Sequence, residues 1–174
     1  MAVASVRKRA MWLGFAFVPA LLVDVATKWL IVTVVMAPPR VIEITSFFNL
    51  TLGFNPGVSF GMFQDFFLER PMVLAAIKVA IATGLLVWAM STEKAIEAIA
   101  LGLIAGGAAG NIVDRVRQGG VTDFLDFHLG DWHWPAFNMA DVAICAGVAL
   151  LLMESLRPAR PSLHVQASPN NAER

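Results

Sequence analysis

The sequence predicts a helical membrane protein: a bundle of four transmembrane helices with a small extracytoplasmic sheet and a short amphipathic surface helix. Hydrophobic residues make up 57% of the 174-residue chain and charged residues only 15%, whereas soluble domains average about 45–50% and about 25%. Four apolar stretches approach the roughly 20 residues that a helix needs to span a bilayer. Between the first two stretches, β-branched and aromatic residues alternate in part, which favours strands.

The four apolar stretches cover residues 10–35, 71–90, 95–113 and 137–156. Each is predicted to be a helix, because a backbone in lipid must satisfy its own hydrogen bonds. The first stretch follows the basic cluster at residues 7–9. It is longer than the apolar region of about 7–15 residues in a cleaved signal peptide. We therefore interpret it as a retained signal anchor.

The distribution of basic residues predicts the orientation. The dense N-terminal cluster predicts that both termini lie in the cytoplasm, so that residues 36–70 and 114–136 lie on the outer side of the membrane. Residues 1–157 are predicted to form one membrane-embedded domain. The tail 158–174 is rich in Pro, Ser, Ala and Asn and is predicted to be a disordered cytoplasmic segment. The formal net charge of zero gives no indication of a nucleic-acid partner.

The outer segment 36–70 predicts local structure of its own. Residues 41–45 and 47–52 read as short strands, and Asn55-Pro56-Gly57 is a turn signal. Four phenylalanines within residues 59–67 are spaced for one face of a short helix on the membrane surface. The alternative is a hydrophobic loop that only packs on the bundle.

Two polar groups interrupt the first apolar stretch. Asp24 and Lys28 lie one helical turn apart, so they share a face and can pair. The third stretch carries Gly102, Gly106 and Gly110 at four-residue spacing, which is typical of close helix packing. This glycine face could also leave room for a substrate segment between helices.

A polar group of residues, Asn111, Asp114 and Arg115, ends the third stretch. Such a group is either a structural network at the helix end or a shell that orients a substrate, and the sequence leaves both interpretations open.

Two aspartates with apolar flanks, Asp123 and Asp141, come to the same depth near the outer face. Two close carboxylates in a poorly solvated site tend to share one proton. The ionised one can then take a proton from water, while the protonated one polarises and protonates a scissile amide. The pair titrates as a unit, so the sequence does not assign acid and base. We predict amide hydrolysis without a metal or covalent intermediate.

Other chemistry is less well supported. His128 and His133 lack zinc-ligand spacing, and no metal or other cofactor is expected. Lys78 lies near a predicted helix end and is interpreted as a snorkelling side chain. Cys145 is interpreted as a small buried hydrophobe.

Five short blocks, in order, resemble the bacterial lipoprotein signal peptidases (prolipoprotein signal peptidase, signal peptidase II). They are Asp-Val-Ala-Thr-Lys at 24–28, Asn-Pro-Gly-Val-Ser-Phe at 55–60, the Gly-rich run ending in Asn-Ile-Val-Asp-Arg at 106–115, Val-Thr-Asp-Phe at 121–124 and Phe-Asn-Met-Ala-Asp at 137–141. Each block alone is weak, but the five together cover nearly the whole chain and are specific.

The resemblance implies an intramembrane aspartyl endopeptidase with four transmembrane helices, an outer β-cradle and a short surface helix. The implied substrate is a diacylglyceryl-modified prolipoprotein, cut just before its lipidated Cys, and a globomycin-type inhibitor is expected to bind. Membrane lipids are expected partners, and nothing requires more than a monomer. Asp123 and Asp141 are the implied catalytic pair. The implied substrate-binding or supporting residues are Asp24, Lys28, Asn55, Gly57, Asn111, Asp114, Arg115, Asn138 and Ala140.

The alternative function is a small proton- or ion-coupled transporter, with Asp24, Lys28, Asp114 and Asp141 as a relay. A relay needs polar groups at several membrane depths. Here they cluster near the predicted outer face, which favours the peptidase.

Overall fold

The computed structural model describes residues 2–56 and 71–157. This part of the chain contains four long helices: α1 (Ala2–Leu30, continued by a π-helical turn at Ile31–Val35), α2 (Pro71–Ser91), α3 (Ala95–Gln118) and α4 (Met139–Ser155). The predicted surface helix within residues 59–67, Gly57 and the predicted disordered tail 158–174 lie outside the described residues.

Helix α3 is the centre of the bundle, since it packs against α1, α2 and α4. A methyl group added at Gly102 would lie 2.7 Å from the carbonyl oxygen of Leu13 and 3.0 Å from Cβ of Ala16, both in α1. A methyl group at Gly106 would likewise clash with the backbone of Phe17. The glycine face therefore serves close packing, and the idea that it leaves room for a substrate segment is wrong, because α1 occupies it.

Two stretches of the described residues, Ser5–Val35 and Ala95–Gln118, are long and apolar enough to cross a membrane, and Ala76–Ser91 is a shorter apolar helix. Helix α1 also leaves large apolar side chains uncovered, including Phe15, which is 75% exposed, and Leu22, which is 60% exposed. Such a surface suits contact with lipid. The prediction of four transmembrane spans stays a prediction.

One end of the bundle carries a small antiparallel sheet in the order β1-β2-β3-β4. Its strands are β1 (Ile42–Thr45), β2 (Phe48–Asn55), β3 (Val121–Leu129) and β4 (Trp132–His133). The sequence predicted the first two strands but treated residues 114–136 as a connecting loop. Strand β3 pairs with β2, more than 60 positions earlier in the chain, and short-range patterns do not reveal such a partner. The fold is therefore mixed: a helical bundle with a four-stranded sheet.

A small hydrophobic core joins the sheet to the bundle. Its buried residues are Ile31 from the π-helical turn, Met36 after it and Phe124 from β3. Partly buried side chains of β1, β2 and the first residue of α4 pack around them. This core fixes β3 beside the start of α4, and so fixes the relative position of the two predicted catalytic aspartates.

Helix α4 buries Ala140, Ala143 and Gly147, which lie on one side of the helix. Cys145 is exposed, so the prediction of a buried cysteine is wrong. The reason is geometric: two residues beyond Ala143 correspond to about 200° around a helix of 3.6 residues per turn. An apolar surface of this kind suits lipid as well as a protein core.

Candidate active site

Asp123 is held by the sheet. It is the third residue of β3 and lies opposite Gly53 of β2. Its side chain is buried, and Oδ1 accepts a hydrogen bond of 2.6 Å from Nδ2 of Asn138. The side chain of Asn55, at the end of β2, also hydrogen-bonds to this carboxylate. The pairing of β2 with β3 therefore brings together two residues, Asn55 and Asp123, that the sequence analysis singled out separately.

Asp141 is held by the first turn of α4. Its backbone N–H donates to Oδ1 of Asn138 at 3.1 Å, and the backbone N–H of Asn138 donates to Oδ2 of Asp141 at 3.2 Å. These reciprocal bonds form a capping box, which satisfies two backbone donors that a helix start leaves open. Oδ1 of Asp141 accepts a further bond of 3.0 Å from Nδ2 of Asn111. Both oxygens of this carboxylate are thus oriented.

Asn138 connects the two aspartates. It is fully buried, its backbone and Oδ1 hold Asp141, and its Nδ2 donates to Asp123. Nδ2 also lies 3.2 Å from both Oδ1 of Asn111 and the carbonyl oxygen of Thr122. An amide has only two N–H groups, so these three acceptors share them, with the shortest contact made to Asp123. One side chain therefore fixes both carboxylates.

A buried ion cluster lies beneath this layer. Nζ of Lys28 donates to Oδ2 of Asp24 at 2.8 Å and to Oδ1 of Asn111 at 2.9 Å, and lies 3.2 Å from Oδ2 of Asp114. An ammonium has three donors, so Lys28 is saturated. Oδ1 of Asp24 accepts from the backbone N–H of Ala140 at 2.8 Å. The predicted pair of Asp24 and Lys28 is present, and it joins α1, α3 and α4.

The end of α3 is tied to the sheet. Oδ2 of Asp114 accepts from the backbone N–H of Thr122 at 3.0 Å, and Nη1 of the buried Arg115 donates to the carbonyl oxygen of Asn111 at 3.3 Å. These contacts form a structural network around Asn111, whose side chain in turn holds Asp141. The two interpretations that the sequence left open for this group are therefore compatible.

Lys78 was interpreted as a snorkelling side chain and was not predicted to lie near the active site. Lys78 of α2 lies close enough to Asp123 and Asp141 to interact with both electrostatically, as does Arg115. The available signal was a lysine seven residues inside an apolar helix, where charges are expensive and often functional.

The electrostatic environment sets the proton affinity of the site. Burial raises the pKa of Asp123 to about 6, from an ordinary value of 3.8. The hydrogen bond from Asn138 opposes this rise, whereas the negative charge of Asp141 adds to it. A carboxyl group of this kind retains a proton in mildly acidic solution, as a general acid in amide hydrolysis must.

The two histidines lie at the sheet edge and form a separate cluster. The rings of His128 and His133 stack with centroids 5.1 Å apart, and Nδ1 of His133 lies 2.9 Å from both carboxylate oxygens of Asp126. Asp126 also accepts from Nδ2 of Asn49 at 3.2 Å. This second aspartate of β3 was not among the predicted site residues, although it is only three residues from Asp123.

Comparisons of the sequence with a family profile and with individual proteins identify the same family. The sequence profile of a family described as signal peptidase (SPase) II matches residues 16–157. The chain is 43% identical over 159 residues to a lipoprotein signal peptidase of Paraburkholderia phytofirmans, covering 88% of each chain. It is 39% identical over 170 residues to the lipoprotein signal peptidase of Sphingopyxis alaskensis, covering 96% of this chain and 98% of that one.

The fold is similar to that of a bacterial membrane enzyme solved by the in meso method at 1.9 Å resolution. The TM-score is 0.66 at 27% sequence identity, and the match covers 90% of this chain and 94% of the solved one. A second structure, of a bacterial membrane enzyme at 2.3 Å, matches with the same TM-score at 26% identity, covering 88% of this chain and 87% of that one.

Proposed function

This chain belongs to the signal peptidase II family, and we propose that Asp123 and Asp141 form the catalytic dyad with which it removes signal peptides from prolipoproteins. Such an enzyme is an aspartic-type protease of a bacterial membrane. The observation that carries the dyad assignment is the position of Asn138, which hydrogen-bonds to both aspartates. The related proteins named above are themselves lipoprotein signal peptidases.

In this mechanism the dyad shares one proton. The ionised carboxylate takes a proton from a water molecule as the water oxygen attacks the carbonyl carbon of the scissile amide. The protonated carboxyl then gives its proton to the leaving nitrogen as the C–N bond breaks. Because strongly interacting carboxylates titrate as a pair, acid and base are roles of the dyad rather than of either residue.

The remaining residues position the dyad or the substrate. Asn138 and Asn111 hold the two carboxylates by the bonds described above. The ion cluster of Asp24, Lys28 and Asp114 supports Asn111 and the first turn of α4. Asn55 orients Asp123. The proposed substrate-contacting or supporting residues that complete the site are Gly57, Arg115 and Ala140.

The proposed topology places this site at the outer face of the inner membrane. The four helices α1 to α4 each cross the bilayer, both termini lie in the cytoplasm, and the sheet forms an outer cradle. A diacylglyceryl-modified Cys is anchored in the outer leaflet, so the peptide bond just before it lies at the depth of the dyad. A globomycin-type cyclic peptide would compete for the same position, and a monomer is sufficient for the reaction.

The test is cleavage of a diacylglyceryl-modified prolipoprotein by the purified protein in lipid, measured as a gel shift with and without a chelator. Asp123→Asn and Asp141→Asn are each expected to lower the cleavage rate by about 10³-fold or more. Asp126→Asn is a matched control, because it removes a buried carboxylate from the same strand outside the dyad. Wild-type cleavage should be unaffected by the chelator.

If Asp123→Asn or Asp141→Asn cleaves the substrate as fast as Asp126→Asn does, the assignment of the catalytic dyad is wrong. Failure of the folded wild type to cut would refute the peptidase itself. Proton-coupled transport, the alternative function, would then be assayed in proteoliposomes.

A further inference from the structure

A groove with a volume of about 320 Å³ lies between the outer halves of α1 and α3. Neither Asp123 nor Asp141 lines it. Its apolar wall includes Val25, Trp29 and Val32 of α1 and its continuation. Its polar end includes Lys28 of α1 and Asp114 and Arg117 of α3. The groove therefore runs between the two stretches that are long and apolar enough to cross a membrane, and its polar end lies beside the sheet.

Two of the three charged side chains at the polar end, Asp114 and Arg117, do not pair with each other. Asp114 and Arg117 are three positions apart on one helix, where opposite charges commonly meet, but Asp114 instead contacts Lys28 and the backbone N–H of Thr122, both through Oδ2. The side chain of Arg117 is exposed, and Oδ1 of Asp114 takes part in neither of the two contacts made by Oδ2. The groove thus offers a negatively charged hydrogen-bond acceptor and a separate cationic donor.

A zwitterionic head group matches this pair of charges. An Arg guanidinium binds phosphate with two parallel hydrogen bonds, and a carboxylate oxygen accepts from a primary ammonium. The apolar wall suits an acyl chain, and Trp29, which is 63% exposed, is a residue type enriched where membrane meets water. We propose that this groove binds a phospholipid whose head group carries both a phosphate and a primary amine, as in an ethanolamine glycerophospholipid.

The same charges discriminate against other lipids. A glycerol head group brings a phosphate for Arg117 but no ammonium, so the Asp114 carboxylate would gain no charged donor beyond Lys28. A choline head group brings a cation that has no N–H to donate. Ethanolamine lipid is therefore expected to be retained above both choline and glycerol lipids.

The test is retention of lipid by the full-length protein, measured by native mass spectrometry after extraction from bilayers with equal amounts of ethanolamine, choline and glycerol phospholipids. The ethanolamine lipid should be retained about tenfold above the others, and Arg117→Gln should lower its retention about tenfold. Arg40→Gln is the matched control, because Arg40 is exposed outside the groove and donates to the carbonyl oxygen of Val35.

A second pair of variants tests the apolar wall. Val32→Trp would fill the groove and should displace the lipid, whereas Val34→Trp adds the same bulk at a position that is 58% exposed and outside the groove. Equal retention of the three lipids, a preference for glycerol or choline, or equal loss in a variant and its control would each overturn the proposal. Because no readout uses peptide cleavage, these outcomes are independent of the proposed dyad.

Discussion

The two ends of the helical bundle both carry acidic and basic side chains, but the two sets of ion pairs differ in their exposure to solvent. At the end that carries the sheet, the side chains of Asp24 and Lys28 are 0% and 5% exposed. At the other end, Arg9 pairs with Glu93, which is 87% exposed, and Lys94, which is 59% exposed, lies 2.9 Å from Glu97 and 3.4 Å from Glu154.

The difference indicates that the buried charges serve the geometry of the site rather than the net stability of the fold. Ion pairs with an exposed partner contribute little, because solvent screens them and ordering the long side chains costs entropy. Buried charges carry a desolvation penalty that apolar residues would avoid. A saturated buried cluster beside two catalytic candidates is therefore best explained by the positions it imposes on them.

The largest expected effect comes from removing Lys28, the central cation of the buried ion cluster. Lys28→Met leaves Asp24 buried beside Asp114 without a counter-charge, and should destabilise the protein by about 3–5 kcal/mol. Lys94→Met, the same substitution at the other end, should leave the thermal midpoint nearly unchanged. Thermal unfolding of both variants in one detergent makes the measurement. Equal shifts would show that the two ends do not differ as argued.

The next largest effect is expected from removing an amide side chain that hydrogen-bonds to the dyad. Asn111→Ala removes the donor to Asp141, and the cleavage rate per folded molecule should fall about 100-fold. Asn49→Ala, which also truncates a buried asparagine but near Asp126, should change that rate by less than about threefold. Rates are normalised to folded protein by size-exclusion chromatography. Similar losses in both variants would mean that Asn111 acts only through stability.

A smaller effect is expected where α3 packs on α1. In Gly106→Ala the added methyl group meets the backbone of Phe17, and the variant should lose about 1–3 kcal/mol of stability. Gly84→Ala adds the same group where no atom lies within 4 Å and should be neutral or slightly stabilising. Chemical unfolding in mixed micelles compares the two. A tolerated Gly106→Ala would show that α1 can move away without cost.

The smallest expected effect is a gain in the free energy of unfolding. Because burial raises the pKa of Asp123 to about 6 from 3.8, the folded protein holds this proton more tightly than the unfolded chain. The stability that this group contributes is complete below about pH 3.8 and is lost as pH rises through about 6. At pH 7.5, Asp123→Asn should therefore be inactive yet about 1–2 kcal/mol more stable than wild type.

The gain in Asp123→Asn should vanish near pH 4, which thermal melts at the two pH values would check. Glu93→Gln at the exposed end should shift the midpoint at neither pH. Above about pH 6 the dyad should also lose its shared proton. The cleavage rate of the wild type should therefore decline as the pH rises above this value.

The sequence revealed those parts of the site that depend on local spacing. Asp24 and Lys28 are one turn apart, and this spacing alone predicts their pair. Asn138 and Asp141 are three residues apart at the start of an apolar run, a pattern that also predicts a capping box, although the sequence analysis did not use it.

The parts that were missed depend on partners far apart in the chain. Strand β3 exists because β2 lies beside it, and the contact of Asp126 with His133 requires the turn into β4. Cys145 was assigned to the core because an apolar residue in an apolar helix gives no indication of which side faces lipid.

The hydrogen bond from the backbone of Ala140 to Asp24 has a consequence for biogenesis. Asp24 is on the first helix to be synthesised and Ala140 is on the last of the described helices, so the first turn of α4 obtains this acceptor only after both helices are in place. Until then, Asn138 and Asp141 lack the support that fixes them beside Asp123. Under the proposed mechanism, the dyad is therefore complete only once α1 and α4 have come together.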